Sequence, residues 1–230
     1  MTDKKIWITI PVYNRYKTAK AIIPITYKNK KNHFLHISDD FSTEYNASEV
    51  FKNYADEIER PPKKLGVQLL RWWEFRKFLE TDFDLIYMTD SDALHDPNYI
   101  DRLLELYEFT KHPVCIYNTK WHVNATVNYN SVKDFYWRRT MPGISQLYDR
   151  EMVEKIVKTL DKKGEPTYAW DYRVLEFLNM RAVTSKTSYI QHFGGPGSIH
   201  NKTLTSDTAL EPTKYLKEMW NPILKQIQRR

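Results

Sequence analysis

The chain has 230 residues, 41% of them hydrophobic and 28% charged, with a formal net charge of +6. That length allows one sizeable core, and 14% aromatic content excludes a disordered chain, which cannot bury enough apolar surface to offset its ordering entropy. The single cysteine, Cys115, excludes an intramolecular disulfide and a cysteine-based zinc site, and no apolar run approaches the roughly 18 residues of a membrane span.

The positive balance favours an anionic partner, but the basic residues are scattered, with short clusters only at Lys28 to Lys31 and at Lys162-Lys163. A nucleic-acid-binding stripe is therefore not expected. No signal-peptide pattern opens the sequence, so the expected location is cytoplasmic, and the acceptor patterns at Asn46, Asn124 and Asn201 read as chance.

In chain order, short apolar runs alternate with longer amphipathic stretches, the pattern of βαβ units in a mainly parallel sheet. Ile6 to Ile10 reads as the first strand. A helix from Tyr16 to Ile23 is expected to stop at Pro24, which lacks a backbone donor. Phe34 to Ile37 reads as the second strand, followed by a helix near Ser48 to Glu57 and, after Pro61-Pro62-Lys63-Lys64, a periodic helix from Val67 to Leu79. Asp84 to Met88 is the expected central strand, delivering Thr89-Asp90-Ser91-Asp92 at its carboxyl end. Asp96 then caps a helix whose first turn holds Pro97.

After Val114 to Tyr117 the alternation breaks down, and the weak period-two pattern from Trp121 to Arg139 predicts hairpins. Further helices are expected at Arg150 to Leu160 and Trp170 to Met180, and a last strand at Ser188 to Ile190, before the glycine-rich run from His192 to His200. The basic amphipathic stretch from Thr213 to Gln228 reads as a helix that covers the core, with peripheral membrane contact as its other use. The expected organisation is a single domain with a regular half over 1–118, an irregular half over 119–205 and a terminal helix within 206–230.

The chemistry-bearing residues fall at strand ends. Tyr13-Asn14-Arg15 follows the first strand, Asp39-Asp40 the second, and Asp90-Ser91-Asp92 the central one. Open α/β sheets bind ligands beyond the carboxyl ends of their strands, so these three loops are expected to converge. Two carboxylates in an Asp-X-Asp turn suit a hard cation such as Mg²⁺ or Mn²⁺, which typically takes one or two carboxylates plus substrate phosphates. Turn and cap preferences of Asp and Asn are the alternative explanation for each loop taken singly. The glycine-rich run can bring backbone N–H groups close to phosphate. His192 is a candidate further metal ligand and His200 a weaker one, while His33, His36, His95, His112 and His122 have no partner at metal-ligand spacing.

Ile8-Thr9-Ile10-Pro11-Val12-Tyr13-Asn14-Arg15, Ile37-Ser38-Asp39-Asp40-Phe41-Ser42 and Tyr87-Met88-Thr89-Asp90-Ser91-Asp92, in that order and spacing, resemble the opening blocks of a family 2-type glycosyltransferase. Leu65-Gly66 with Arg71 resembles that family's glycine and arginine segment. Pro142-Gly143 through Arg150 resembles its acceptor-side stretch, and Trp170-Asp171-Tyr172 its catalytic-base segment. The resemblance covers Ile6 to His200. It implies an α/β GT-A fold, Rossmann-like, with a mainly parallel central sheet flanked by helices and a smaller acceptor-side hairpin region.

It also implies transfer of a sugar from a nucleoside diphosphate sugar, a UDP-sugar above all, to a glycan hydroxyl, with inversion and with Mn²⁺ or Mg²⁺ as cofactor. Pro11, Tyr13, Asn14 and Arg15 would lie along the nucleotide, Asp39 or Asp40 would bond the base, and Arg71 would complete the base pocket. Asp90 would face ribose or metal with Ser91 beside it, Asp92 and His192 would hold the metal, and Asp171 would be the general base. The sequence has Trp170 where the family often has a first carboxylate, so Asp149 and Glu176 stand as substitutes for Asp171, and Trp170 as a ring to stack on the acceptor sugar. The alternatives are a sugar-phosphate nucleotidyltransferase, which usually needs a glycine-rich basic loop after the first strand, and a non-catalytic carbohydrate-binding module. No Gly-X-X-X-X-Gly-Lys-Ser/Thr loop, Gly-X-Gly-X-X-Gly turn or Gly-X-Ser-X-Gly elbow is present, which removes the main support for ATPase, dinucleotide-binding and serine-hydrolase readings.

Overall fold

A computed structural model describes residues 4–194 and 209–228. The chain runs β1 (Ile6–Val12), α1 (Tyr16–Asn29), β2 (Phe34–Asp39), α2 (Ala47–Val50), β3 (Glu57–Glu59), α3 (Gly66–Leu79), β4 (Leu85–Thr89), β5 (Ala93–His95) and α4 (Tyr99–Thr110). It continues with β6 (Val114–Cys115), a 3₁₀ turn (Lys120–Ala125), the hairpin β7 (Thr126–Asn130) and β8 (Phe135–Arg138), then β9 (Ser145–Asp149), α5 (Arg150–Lys163), α6 (Trp170–Leu178), β10 (Ala182–Ser185), β11 (Ile190–His192) and α7 (Lys214–Gln228). No helix of the described residues is long and apolar enough to cross a membrane.

One nine-stranded sheet has the order β3-β2-β1-β4-β9-β6-β10-β8-β7, and β5 pairs with β11 in a separate ribbon. Strands β3, β2, β1 and β4 are parallel, so their carboxyl ends share one edge. Their inner residues, including Ile8, Ile10, Leu35, Ile37, Leu85 and Met88, are fully buried, as expected of strands covered on both faces. The expected α/β architecture, a large sheet flanked by helices with a hairpin region beyond it, is present.

Several element expectations are corrected. Helix α1 continues through Pro24 to Asn29; burial of Ile22, Ile23 and Thr26 along it outweighs one missing donor. The helix expected from Ser48 to Glu57 is one turn, Ala47–Val50, because Glu57–Glu59 pairs as an edge strand with His36 to Ser38. The last strand is Ile190–His192 rather than Ser188 to Ile190. Strand β9 enters antiparallel against β4, with Thr89 opposite Ser145, which brings Pro142-Gly143 beside the end of β4. The terminal helix does cover core: Leu216, Ile223 and Ile227 pack with Ala21, Ile22, Leu94 and Phe193, and Trp220 stacks on Phe193 with ring centroids 4.3 Å apart.

His95 ties this frame together. Its fully buried ring meets the hydroxyls of Thr26 on α1 and Thr89 on β4, each at 3.1 Å, and lies on the strand that pairs with the one carrying His192. Hydroxyls can donate or accept, so the neutral ring is fully satisfied. Burial pushes its pKa down to about 3. The unfolded chain takes up a proton at His95 below about pH 6.5 that the folded chain refuses, so this contribution to stability is complete above pH 6.5 and is lost as pH falls toward 3. In urea titrations from pH 7 to 4.5, His95→Gln is expected to lose stability less steeply than the wild type, by up to about 1.4 kcal/mol per pH unit. Parallel pH slopes for the two proteins would remove His95 as a source of acid lability.

Candidate active site

The carboxyl ends of β1, β2 and β4 carry the three loops singled out in the sequence, and side-chain contacts join the first of them to both of the others. Carboxylate oxygens of Asp90 and Asp92 and a ring nitrogen of His192 all lie within 4.8 Å of one another. The β5–β11 pairing sets His192 opposite Ala93, and Phe193 donates its N–H to the Asp92 carbonyl at 2.8 Å. His192 Nε2 stands 3.1 Å from Asp92 Oδ2, and Arg15 Nη1 donates to the same oxygen at 2.5 Å. Nη2 of Arg15 also donates to the carbonyls of Phe193 and Gly194, at 3.1 and 3.2 Å. One guanidinium thus bridges the loop after β1, the loop after β4 and the end of β11.

Arg15 reaches this position through a costly backbone. Asn14 and Arg15 both adopt left-handed conformations, with φ of 53° and 56°, each disfavoured for a non-glycine residue by roughly 1–2 kcal/mol. The loop after β2 holds them there. Asn14 Oδ1 accepts from the N–H groups of Thr43 and Glu44 at 2.8 and 3.1 Å, and Asn14 N–H donates to the Ser42 hydroxyl at 3.0 Å.

Beneath Asp90 lies a buried chain of charge. Arg71, with no exposed surface, donates to Glu74 at 2.8 Å, to the Thr89 carbonyl at 2.7 Å and to Asp90. Glu74, also fully buried, accepts from Thr9 at 2.9 Å and from Ser38. Burial works against the charge on Arg71, but Glu74 and Asp90 raise its pKa above the ordinary value. For Asp90, burial raises the pKa against the pull of Arg71, and the charge of Asp92 adds to the rise. Asp92 goes the other way: burial opposes its ionisation, yet His192 and Arg15 together hold it well below the usual carboxylate range. Asp92 is a permanent anion at neutral pH.

The loop after β2 builds a cavity of about 540 Å³ lined by Asp39, Ser42, Tyr45, Asn46, Ser48, Ile58, Glu59 and Arg60. Asp39 accepts from Ser42 N–H at 2.8 Å and from Arg60 Nη2 at 2.5 Å. Tyr13 is 43% exposed, with the Lys64 ammonium 3.7 Å from its ring centroid. Pro11 sits in β1 opposite Ser38, and Ser91 is half-buried between the two aspartates.

Two residues expected at the base pocket, Asp40 and Arg71, have partners within the fold. Both oxygens of Asp40 take the N–H groups of Leu65 and Gly66, at 2.7 and 2.8 Å, and so fix the start of α3, where Gly66 has φ of 74°. Arg71 points under Asp90 rather than toward the cavity. Of the residues put forward beside Asp171, Trp170 is buried, in edge contact with Trp72, beneath the Arg71 guanidinium at 5.3 Å and so close to Gly143 that a Cβ there would come within 3.1 Å of its ring. It is core and has no open face for a sugar. Asp149 caps α5 through Met152 N–H at 2.8 Å and accepts from Tyr107, and Glu176 pairs with Arg173 on the surface. Asp171 stands in the first turn of α6, after Ala169 in a left-handed conformation, and its charge raises the pKa of both Tyr148 and Tyr172 after burial has done so. The segment Gly195-Pro196-Gly197-Ser198-Ile199-His200, with the candidate ligand His200, lies outside the described residues.

Sequence reasoning missed Glu74 and Arg60. For Glu74 a signal existed: it falls with Arg71 on the stripe of α3 that holds Leu70, Phe75 and Phe78, and charges at i and i+3 on an apolar face mark a buried ion pair. Arg60 follows an edge strand that the sequence did not reveal.

No family model matches the chain, and no curated protein matches it in sequence. Solved structures do match it. S. aureus TarS 1–349 has a TM-score of 0.57 at 15% identity, covering 81% of this chain and 59% of that one. The same protein in complex with UDP-GlcNAc gives 0.55 at 15% identity, covering 81% and 57%. A197 from STIV gives 0.52 at 14% identity, covering 90% and 94%. The likeness is one of fold, that of the GT-A glycosyltransferases, and this chain spans about 59% of TarS 1–349.

Removing Arg71 strands two carboxylates, one of them wholly buried. Arg71→Ala is expected to lower the unfolding free energy by about 3–5 kcal/mol in urea denaturation, whereas Asp90→Asn, whose side chain is 28% exposed, costs clearly less. Equal losses from the two variants would show that Arg71 is not the centre of the network.

Proposed function

We propose that the chain is a metal-dependent, inverting glycosyltransferase that moves a sugar from a nucleoside diphosphate sugar, a UDP-sugar in the first instance, to a hydroxyl of a glycan. The observation that carries this reading is the placement of Asp90, Asp92 and His192 about one point at the carboxyl edge of a GT-A sheet, with a polar cavity at the neighbouring strand end. A nucleoside diphosphate spans that arrangement: base in the cavity, diphosphate toward the aspartates.

The donor atoms suit a divalent cation. Two carboxylates and an imidazole within 4.8 Å of one another match the hard-to-borderline preference of Mn²⁺ or Mg²⁺, so Asp90, Asp92 and His192 would hold such an ion. It would supply positive charge to offset that of the diphosphate. Arg15 holds the same Asp92 oxygen and is the chain's own cation at that point. Asp39, which lines the cavity, takes the base-bonding role, and Asp40 supports it by fixing the loop. Tyr13 offers an exposed ring for the base, and Asn14 keeps the loops after β1 and β2 in contact. Asp90 sits at the border of ribose and cation, with Ser91 beside it.

On the acceptor side Asp171 removes the hydroxyl proton as the oxygen attacks the anomeric carbon. The new C–O bond forms while the bond to the diphosphate oxygen breaks, and the nucleoside diphosphate leaves with the electron pair. A single displacement inverts the anomeric centre and needs one carboxylate base, and the half-buried Asp171 holds the place of that base in the resembled segment.

Isothermal titration of UDP is expected to show Mn²⁺-dependent binding that Asp92→Ala weakens at least about tenfold, a loss of about 1.4 kcal/mol. Metal-independent binding that the variant retains would falsify the metal role. Asp171→Asn is expected to keep UDP affinity and to lose about 10²–10⁴-fold in transfer, measured as release of UDP from a UDP-sugar in the presence of acceptor. Near-normal turnover in that variant removes Asp171 as the base.

A further inference from the structure

The exposed faces of the helices differ in sign. Along α1 the residues open to water are Lys17, Lys20 and Lys28, the rest of the helix is buried or half-buried, and no acidic residue occurs in it. Along α7 the exposed charges are Lys214, Lys217 and Lys225 with Glu218 as the one acid, and the sequence continues into Arg229 and Arg230. Helix α4, by contrast, exposes Asp101 and Glu105. The two basic helices are neighbours: α7 packs on α1, with Ala21, Ile22 and Ile25 of one and Leu216, Met219 and Ile223 of the other in and around a single apolar cluster. Lysines three residues apart, Lys17 with Lys20 and Lys214 with Lys217, repel one another, so the stripes work against the helices rather than for them. Elsewhere surface lysines meet acids, as Lys77 meets Glu59 and Glu80 at 3.1 and 2.8 Å.

We propose that the neighbouring lysine faces of α1 and α7 form an electrostatic docking surface for a membrane leaflet rich in anionic lipid headgroups. The charge is complementary, and its distribution fits a plane of phosphates better than a groove or a single anion. Helices packed side by side run with axes about 8–10 Å apart. The 14 residues of α1 make it about 20 Å long, so the lysines are spread over a broad face. Lysine is a hydrated point charge on a flexible stem, suited to a diffuse field, whereas nucleic acid is read by arginine forks and by aromatic rings that stack on bases. Among the described residues neither helix exposes an arginine or an aromatic ring: Tyr16, Tyr27, Tyr215 and Trp220 are half-buried. The apolar side of α7 is occupied, with Leu216, Ile223 and Ile227 buried in the protein, so the helix does not insert and attachment is by charge alone. The face adjoins the candidate active site, because α1 starts directly after Arg15 and Trp220 stacks on Phe193, next to His192. Docking of this kind stands independently of the reaction catalysed there.

Cosedimentation of the full chain with lipid vesicles tests the proposal. In about 0.1 M salt the protein is expected to bind phosphatidylcholine vesicles that hold roughly one-third phosphatidylglycerol at least about tenfold more tightly than vesicles of phosphatidylcholine alone. Salt of about 1 M, which screens charges beyond about 3 Å, is expected to release it. Each lysine at such a surface strengthens attachment about fivefold. Lys28→Gln combined with Lys217→Gln is therefore expected to weaken binding at least about tenfold, while Lys28→Arg combined with Lys217→Arg preserves it. Lys158→Gln combined with Lys162→Gln makes the same change in net charge at exposed positions of α5, which packs on α3 and α6, and is expected to leave binding within about twofold of wild type. No binding to the anionic vesicles, equal binding to both vesicle types, or equal losses from the two glutamine pairs overturns the docking surface. Binding of an oligonucleotide that depends on Lys28 and Lys217, without binding to the vesicles, overturns it in favour of nucleic acid.

Discussion

A guanidinium with no access to water is expensive unless every neighbour compensates it, and Arg71 is held by Glu74, Asp90 and the Thr89 carbonyl at once. The geometry of the site follows from that requirement. Glu74 can face Arg71 only because Thr9 of β1 and Ser38 of β2 donate to its carboxylate. The network therefore clamps α3 against three adjacent strands at the edge where their loops begin. Asp90 is the outermost member of this chain, so its position is set from below by the core, before any ligand arrives. A hydrophobic replacement of the network could match its stability, but it would leave the turn after β4 without an anchor.

A second layer of constraint runs through Asn14 and Arg15. Left-handed conformations at two successive non-glycine residues persist only where the surroundings overdetermine them, and here the loop from Ser42 to Glu44 supplies the bonds. That loop also lines the cavity containing Asp39. The polar cavity and the carboxylate cluster thus share one short piece of chain, with Ser42 lining the first and its bond to Asn14 supporting the segment that directs Arg15 to Asp92.

Much of this was legible in the sequence because it depends on local patterns. Short apolar runs bounded by Pro, Asp and Asn gave β1, β2 and β4, and a polar loop at each strand end gave the edge on which the site lies. What was not legible depends on pairing at a distance. Ala93 to His95 and Ile190 to His192 are too short for periodicity to mark as strands, and their mutual pairing is what brings His192 to Asp92. The antiparallel entry of β9 and the edge strand Glu57–Glu59 are likewise tertiary outcomes. Burial of Ile22, Ile23 and Thr26 carried α1 through a proline that local propensity reads as a stop. Asp39 and Asp40 are adjacent and chemically identical, so the sequence could not divide their tasks. The division follows from which carboxylate meets the N–H groups opening α3.

The two sides of the site differ in how they are built, and the difference bears on how such a fold changes its substrate. Asp90, Asp92, Arg15, Arg71 and Glu74 are cross-bonded to strands β1, β2 and β4, so a change at any one of them is felt by the others. By contrast, Tyr172 on α6 and Trp121 on the 3₁₀ turn are exposed at 45% and 67%. Substitutions on that outer surface leave the charge network intact. On the proposed reading, chemistry that must stay constant is placed where residues are mutually locked, and recognition that must diverge is placed where they are not. The same asymmetry accounts for the weaker sequence signal over the second half: exposed rings on irregular segments satisfy no periodicity, while buried strands at a shared edge do.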